Sequence, residues 1–123
     1  MALANTIETS ETPVHAYVYG ISASFGTILT AVAHRRFAHK RATFMIHSLA
    51  SGAYGMIQDL VENVEQKVKL QDMLEEIYLE NTKITKKKLK EIREKKQDWY
   101  FTGEEALELG LIDELIESKR KVK

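Results

Sequence analysis

No cysteine occurs among the 123 residues, so the chain can form no disulfide, offers no thiol nucleophile and cannot ligate zinc through sulfur. A reducing compartment fits that composition. Charge of one sign is also lacking, because 18 Lys and Arg balance 18 Asp and Glu for a formal net charge of zero. The overall field therefore neither attracts a phosphate backbone nor repels an acidic partner, and nucleic-acid binding gains no support from charge. No apolar run is long enough to span a bilayer, and the first residues lack a basic segment followed by an apolar one, so neither a membrane anchor nor a secretory signal is read. The chain reads as soluble and intracellular, with a cytoplasmic location. No internal repeat is found. What is present is a composition 44% hydrophobic and 29% charged, enough to bury a core and too little charge bias for disorder. At this length one domain, residues 1–123, is the expectation.

Residues 2–10 place Leu3 and Ile7 on one side of a helix that begins without a capping sequence, and Pro13 ends it. Val14 to Tyr19 alternate and branch like a strand, closed by Gly20. Phe25, Ile28, Leu29, Val32 and Ala33 then keep helical spacing from Ser24 to about Arg36, with Arg35 and Arg36 set to complement the negative helix end. Phe37–Ala38 and Thr43–His47 are short strand candidates leading into a small-residue loop, Ser48 to Gly55. From Met56 to about Asn81 a stripe including Ile57, Leu60, Val61, Val64, Val68, Leu74, Ile77 and Tyr78 predicts one long helix. It would extend about 39 Å, more than a compact body of this size needs, so part of the stripe is expected to meet another chain. Thr85 caps a third helix to about Lys96, whose Lys86, Lys87 and Lys88 read as solvated surface. Thr102 and Glu105 form a capping box for a fourth, Gly110 stands where a C-terminal cap is wanted, and Leu111–Ile112 start an exit strand. Ser118 to Lys123 read as a frayed basic tail.

The segment Gly20-Ile21-Ser22-Ala23-Ser24-Phe25-Gly26 passes from a strand end through small residues into a helix. A serine there lies at the positive helix end, where unpaired backbone N–H groups can receive an oxyanion. It would equally serve as a plain helix cap. Gly20-x-Ser22-x-Ser24 also mimics the Gly-x-Ser-x-Gly elbow of other hydrolases, which would favour Ser22, and turn chemistry alone does not choose. Among His15, His34, His39 and His47, only His47 ends an apolar strand before a small-residue loop, so it is the better candidate for a base, beside the alternative of a satisfied core histidine. No histidine pair has metal-ligand spacing, and neither metal nor cofactor is expected.

Taken together these segments resemble the proteolytic subunit of the Clp protease. Its Gly-x-x-Ala-Ser-x-Gly pattern is matched by Gly20, Ala23, Ser24 and Gly26, which selects Ser24 over Ser22, and its Met-Ile-His strand end by Met45, Ile46 and His47. Its acid precedes an aromatic and a Glu-Glu-Ala helix ending in Gly-Leu-Ile-Asp, matched from Asp98 through Glu104-Glu105-Ala106 to Gly110-Leu111-Ile112-Asp113. Asp98 thus takes the acid's position, while Asp59, Asp72 and Asp113 take structural or exposed ones. The resemblance covers about residues 2–117. It implies an α/β fold with a layered β-spiral core, flanking helices and a long handle helix by which rings interlock. It further implies an ATP-dependent serine endopeptidase acting on unfolded polypeptides within a ring-shaped chamber of like subunits. A separate AAA+ unfoldase ATPase would deliver them, since the chain has no Gly-x-x-x-x-Gly-Lys-Ser motif. Loop 48–55 would bind substrate.

In that family a Gly-rich turn before the first helix supplies one oxyanion donor, and an N-terminal portion builds the axial pore. Here the chain begins inside the following helix, so an N-terminally shortened product is expected, with the Phe25 backbone N–H as the remaining donor. Losing one donor costs about 3 kcal/mol of transition-state stabilisation. Two rivals follow: a catalytically weak or inactive subunit that assembles with an active companion, and an acyl-CoA enzyme of the related crotonase fold.

Overall fold

A computed structural model describes residues 1–47 and 64–120. Helices flank two small three-stranded sheets in a mixed α/β arrangement. Helix α1 (Ala2–Thr9) starts with no side-chain cap and ends ahead of Pro13. Its buried residue is Ala4, while Leu3 is exposed rather than sharing an inward face with Ile7. Strand β1 (His15–Val18) bends at Tyr19–Gly20 into β2 (Ile21–Ala23), α2 (Phe25–Val32) follows, and β3 (Arg35–Ala38) turns into β4 (Thr43–Ile46). β1 pairs with β3, and β2 with β4, both in parallel. Each two-strand segment therefore crosses from the first sheet to the second at its bend.

Beyond the undescribed stretch come α3 (Val64–Asn81), α4 (Lys86–Lys95), β5 (Trp99–Thr102), α5 (Gly103–Glu108) and β6 (Glu114–Leu115). β5 pairs antiparallel with β4, and β6 extends the first sheet beside β3. Thr85 accepts from the Lys88 N–H at 3.1 Å to start α4. The expected capping box starts α5: Thr102 Oγ1 accepts from Glu105 N, and Glu105 Oε1 accepts from Thr102 N. Gly103 is confined by packing, because a Cβ there would overlap the His39 carbonyl. The core gathers Ala38, Ala42, Phe44, Ile46, Phe101, Ala106 and Leu111, with the Phe44 and Phe101 rings stacked at 5.5 Å. Burying a side chain of phenylalanine size contributes about 1.5–3 kcal/mol. Among the described residues no helix is long and apolar enough to cross a membrane.

Several expectations need correction. α2 ends at Val32, and Arg35 and Arg36 belong to β3, where extended backbone splays them toward acids that helical geometry would miss. Arg35 meets Glu114 at 2.6 Å and Arg36 meets Asp113 at 3.0 Å. From the strand, Arg36 still serves helix ends, donating to Asn81 O at 2.8 Å and to Ala31 O at 3.4 Å. Leu111 and Ile112 form no strand; their N–H groups return to Ala106 O, closing α5 after the left-handed Gly110 (φ 71°), and the strand begins at Glu114. Lys88 is not simply solvated, since its Nζ sits 4.8 Å from the Trp99 ring centroid. β2 and β5 arise where no strand was expected. The expected helix start at Met56, Asp59, loop 48–55 and the end of the basic tail lie outside the described residues.

Burial pushes the Asp113 carboxyl upward, but the hydrogen bond and charge of the Arg36 side chain, the Arg36 backbone N–H and the Arg35 charge outweigh it. They hold Asp113 below the usual aspartate value. A depressed carboxylate contributes stability that is present above its unfolded-state value and is lost as pH falls through the folded one. Discounted for partial exposure, Asp113→Asn should cost about 1 kcal/mol at pH 7, a penalty that shrinks as the solution is acidified below the ordinary aspartate range. Urea denaturation at pH 7 and pH 3 checks this; an equal loss at both pH values contradicts it.

Candidate active site

Parallel pairing of β2 with β4 brings the carboxyl ends of both strands to one edge, the place where α/β sheets hold their ligands. Ala23 lies opposite Met45, so Ser24 leaves one strand where His47 leaves the other. The Met45 carbonyl accepts from the Ser24 N–H at 3.0 Å and from the Thr27 hydroxyl at 2.9 Å, fastening the first turn of α2 to the end of β4. Ser24 makes the passage from strand to helix in one step, at φ 58° and ψ −119°. A non-glycine residue in that region costs on the order of 1–3 kcal/mol and persists where its surroundings over-determine it. Gly26 lets the turn close, because a Cβ there would stand 3.1 Å from Ser22 Oγ.

Ser24, Phe25, Ile46 and His47 line a cavity of about 20 Å³, walled on the far side by Leu74 and Tyr78 of α3 and by Leu89 and Ile92 of α4. Such a volume suits about one water molecule. His47 is only 7% exposed. Phe25 opens α2, and first-turn N–H groups have no intrahelical acceptor. Ser22, the rival serine, is buried on another side and shares a 3.2 Å hydrogen bond with Thr30 Oγ1.

Asp98 stands apart from the cavity among the described residues. It is exposed and immediately precedes β5. The β4–β5 register ends with Ile46 paired to Trp99, so His47 and Asp98 are the residues that next follow β4 and precede β5 at that end of the pair. Trp99 anchors that strand end, tilted against Phe101 at 4.7 Å and covered by Lys88. The other histidines serve the backbone or a ring: His34 Nδ1 accepts from Val14 N, His39 Nδ1 from Arg41 N, and His15 lies 6.1 Å from Phe37. Among the described residues no cluster of His, Asp or Glu could hold a metal.

Sequence reasoning missed two lining residues, Gln71 and Glu75 of α3. Their signal was helical periodicity. Gln71, Leu74, Glu75 and Tyr78 fall three and four apart, on one face, and the apolar members of that face marked the polar ones as inward.

Two comparisons with known proteins bear on this arrangement. A family model described as Clp protease matches residues 1–119. The ATP-dependent Clp protease proteolytic subunit of Deinococcus radiodurans is 31% identical over 123 residues, a stretch covering 98% of this chain and 59% of that protein. The chain thus spans about three fifths of that relative's length.

The backbone at Ser24 yields its own prediction. Ser24→Gly should stabilise the chain by about 1 kcal/mol, since relief of a positive φ exceeds the added chain entropy of glycine, and raise Tm by about 3 °C. Ser24→Ala, which keeps a Cβ, should leave Tm within about 1 °C of the parent. Calorimetry of the three proteins decides, and a glycine variant melting below the alanine variant contradicts the strain.

Proposed function

The chain belongs to the Clp protease family, and from that premise we propose that it hydrolyses peptide bonds of unfolded polypeptides through Ser24, His47 and Asp98. Family membership suggests a peptidase; the observation that carries the finer reading is Ser24 and His47 lining one cavity at the carboxyl ends of adjacent parallel strands. His47 takes the Ser24 proton as Oγ attacks the peptide carbonyl carbon, and Asp98 orients the ring and stabilises the imidazolium. The Phe25 N–H, at the positive end of α2, receives the oxyanion. Collapse expels the amine with the proton from His47, and water then repeats the sequence on the acyl-enzyme.

Residues 1–123 would form a single protease domain of a ring-shaped assembly. Exposed Val68, Met73 and Leu79 on α3 support a helix that meets another subunit. The energy for unfolding substrates would come from a separate AAA+ ATPase, a reading supported by likeness to an ATP-dependent Clp protease proteolytic subunit.

A fluorophosphonate probe is expected to label Ser24 covalently, with labelling abolished in Ser24→Ala and slowed at least about a thousandfold in His47→Ala. Mass-spectrometric mapping checks the site. Adduct on Ser22, or retained labelling of Ser24→Ala, overturns the assignment. Peptidase activity appearing only when the chain is mixed with a longer relative would instead favour an assembly subunit.

A further inference from the structure

The cavity contains a carboxylate that the mechanism above does not use. Glu75 is 7% exposed and lines the same space as Ser24 and His47, whereas Asp98 stands in solvent. Both polar contacts of the Glu75 carboxylate engage Oε2: Gln71 Nε2 donates to it at 2.8 Å, and Arg93 Nε lies 3.7 Å away. Arg93, on α4, also faces Asp72, its Nη1 lying 3.7 Å from Oδ1. One guanidinium is thus shared between two carboxylates. The trio carries one net negative charge, and its buried member is Glu75.

A buried charge that is incompletely paired favours any cation that forms beside it. The imidazolium generated on His47 is such a cation, and the apolar Leu74, Leu89 and Ile92 line the space that the two residues share. We infer that Glu75 is a positioning residue for His47, its buried carboxylate stabilising the imidazolium that forms as Ser24 gives up its proton. The inference rests on the hydrolase reading above. The remaining charges nearby lie farther into solvent: Asp98 at the head of β5, Lys88 over Trp99, and Glu76 on the outer side of α3. Two carboxylates then serve one histidine, Asp98 from the exposed strand edge and Glu75 from the buried side.

The test uses the whole chain labelled with nitrogen-15, following the His47 ring resonances at pH 7 together with the kinetics of fluorophosphonate labelling. Glu75→Gln keeps the shape and removes the charge. It is expected to slow the covalent step about tenfold, less than loss of a direct oxyanion donor, with the reversible probe affinity unchanged, and to move the His47 ring resonances. Glu75→Asp should recover most of the rate. Arg93→Gln, a change at a half-exposed side chain, adds net negative charge beside Glu75 and should move the His47 resonances in the opposite sense. A wild-type labelling rate in Glu75→Gln overturns the inference, as does a His47 spectrum that superposes on wild type in either variant. If Glu75→Gln fails to fold, Arg93→Gln decides by that spectrum. Absence of labelling in the unmodified chain would sink the hydrolase reading itself, a failure separate from an unmoved His47 spectrum.

Discussion

The arrangement of the candidate site depends on the carbonyl of Met45. It has two lone pairs, and both are taken: one by the Ser24 N–H, the other by the Thr27 hydroxyl. Each bond contributes only about 1 kcal/mol net, yet together they remove two freedoms, the slide of β2 along β4 and the tilt of α2 over the sheet. Between these constraints Ser24 adopts a positive φ. The strain there is held by the surrounding ladder and by the close packing of Gly26 on Ser22. A looser junction would let Ser24 relax into ordinary helical geometry and point its hydroxyl elsewhere.

A second constraint operates at the opposite end of the parallel pair β1–β3. Arg36 joins Asp113 before β6, the last carbonyl of α3 and the last turn of α2. Three segments distant along the chain therefore share one guanidinium, 13% exposed at its side chain. Because α3 also walls the cavity, the register of its inner face against His47 is coupled to this junction. The planar fork of arginine suits it, presenting several donors in fixed directions where a lysine would offer a single point charge.

How much of this was legible in the sequence varies with the kind of signal. The capping box at Thr102, the Thr85 cap and the strand before His47 were legible because each rests on local chemistry that tertiary packing leaves intact. Ser24 could be placed at a strand-to-helix turn, but nothing local separated it from Ser22; burial of Ser22 against Thr30 is a packing fact. Arg35 and Arg36 looked like the end of a helix because local periodicity cannot see acids that arrive from Asp113 and Glu114, far along the chain. β2 and β5 were illegible for a related reason: runs of three or four residues acquire strand geometry only from a partner already in place, here β4. The polar members of the α3 stripe were visible as letters and overlooked as neighbours of the site.

The different exposures of Asp98 and Glu75 give their charges unequal weight. An ion pair at a surface gains little, because water and salt screen it, and Asp98 is exposed. Glu75 is buried and lines, with His47, a cavity whose other lining residues are mostly apolar; there the effective dielectric is lower and a charge interacts several-fold more strongly.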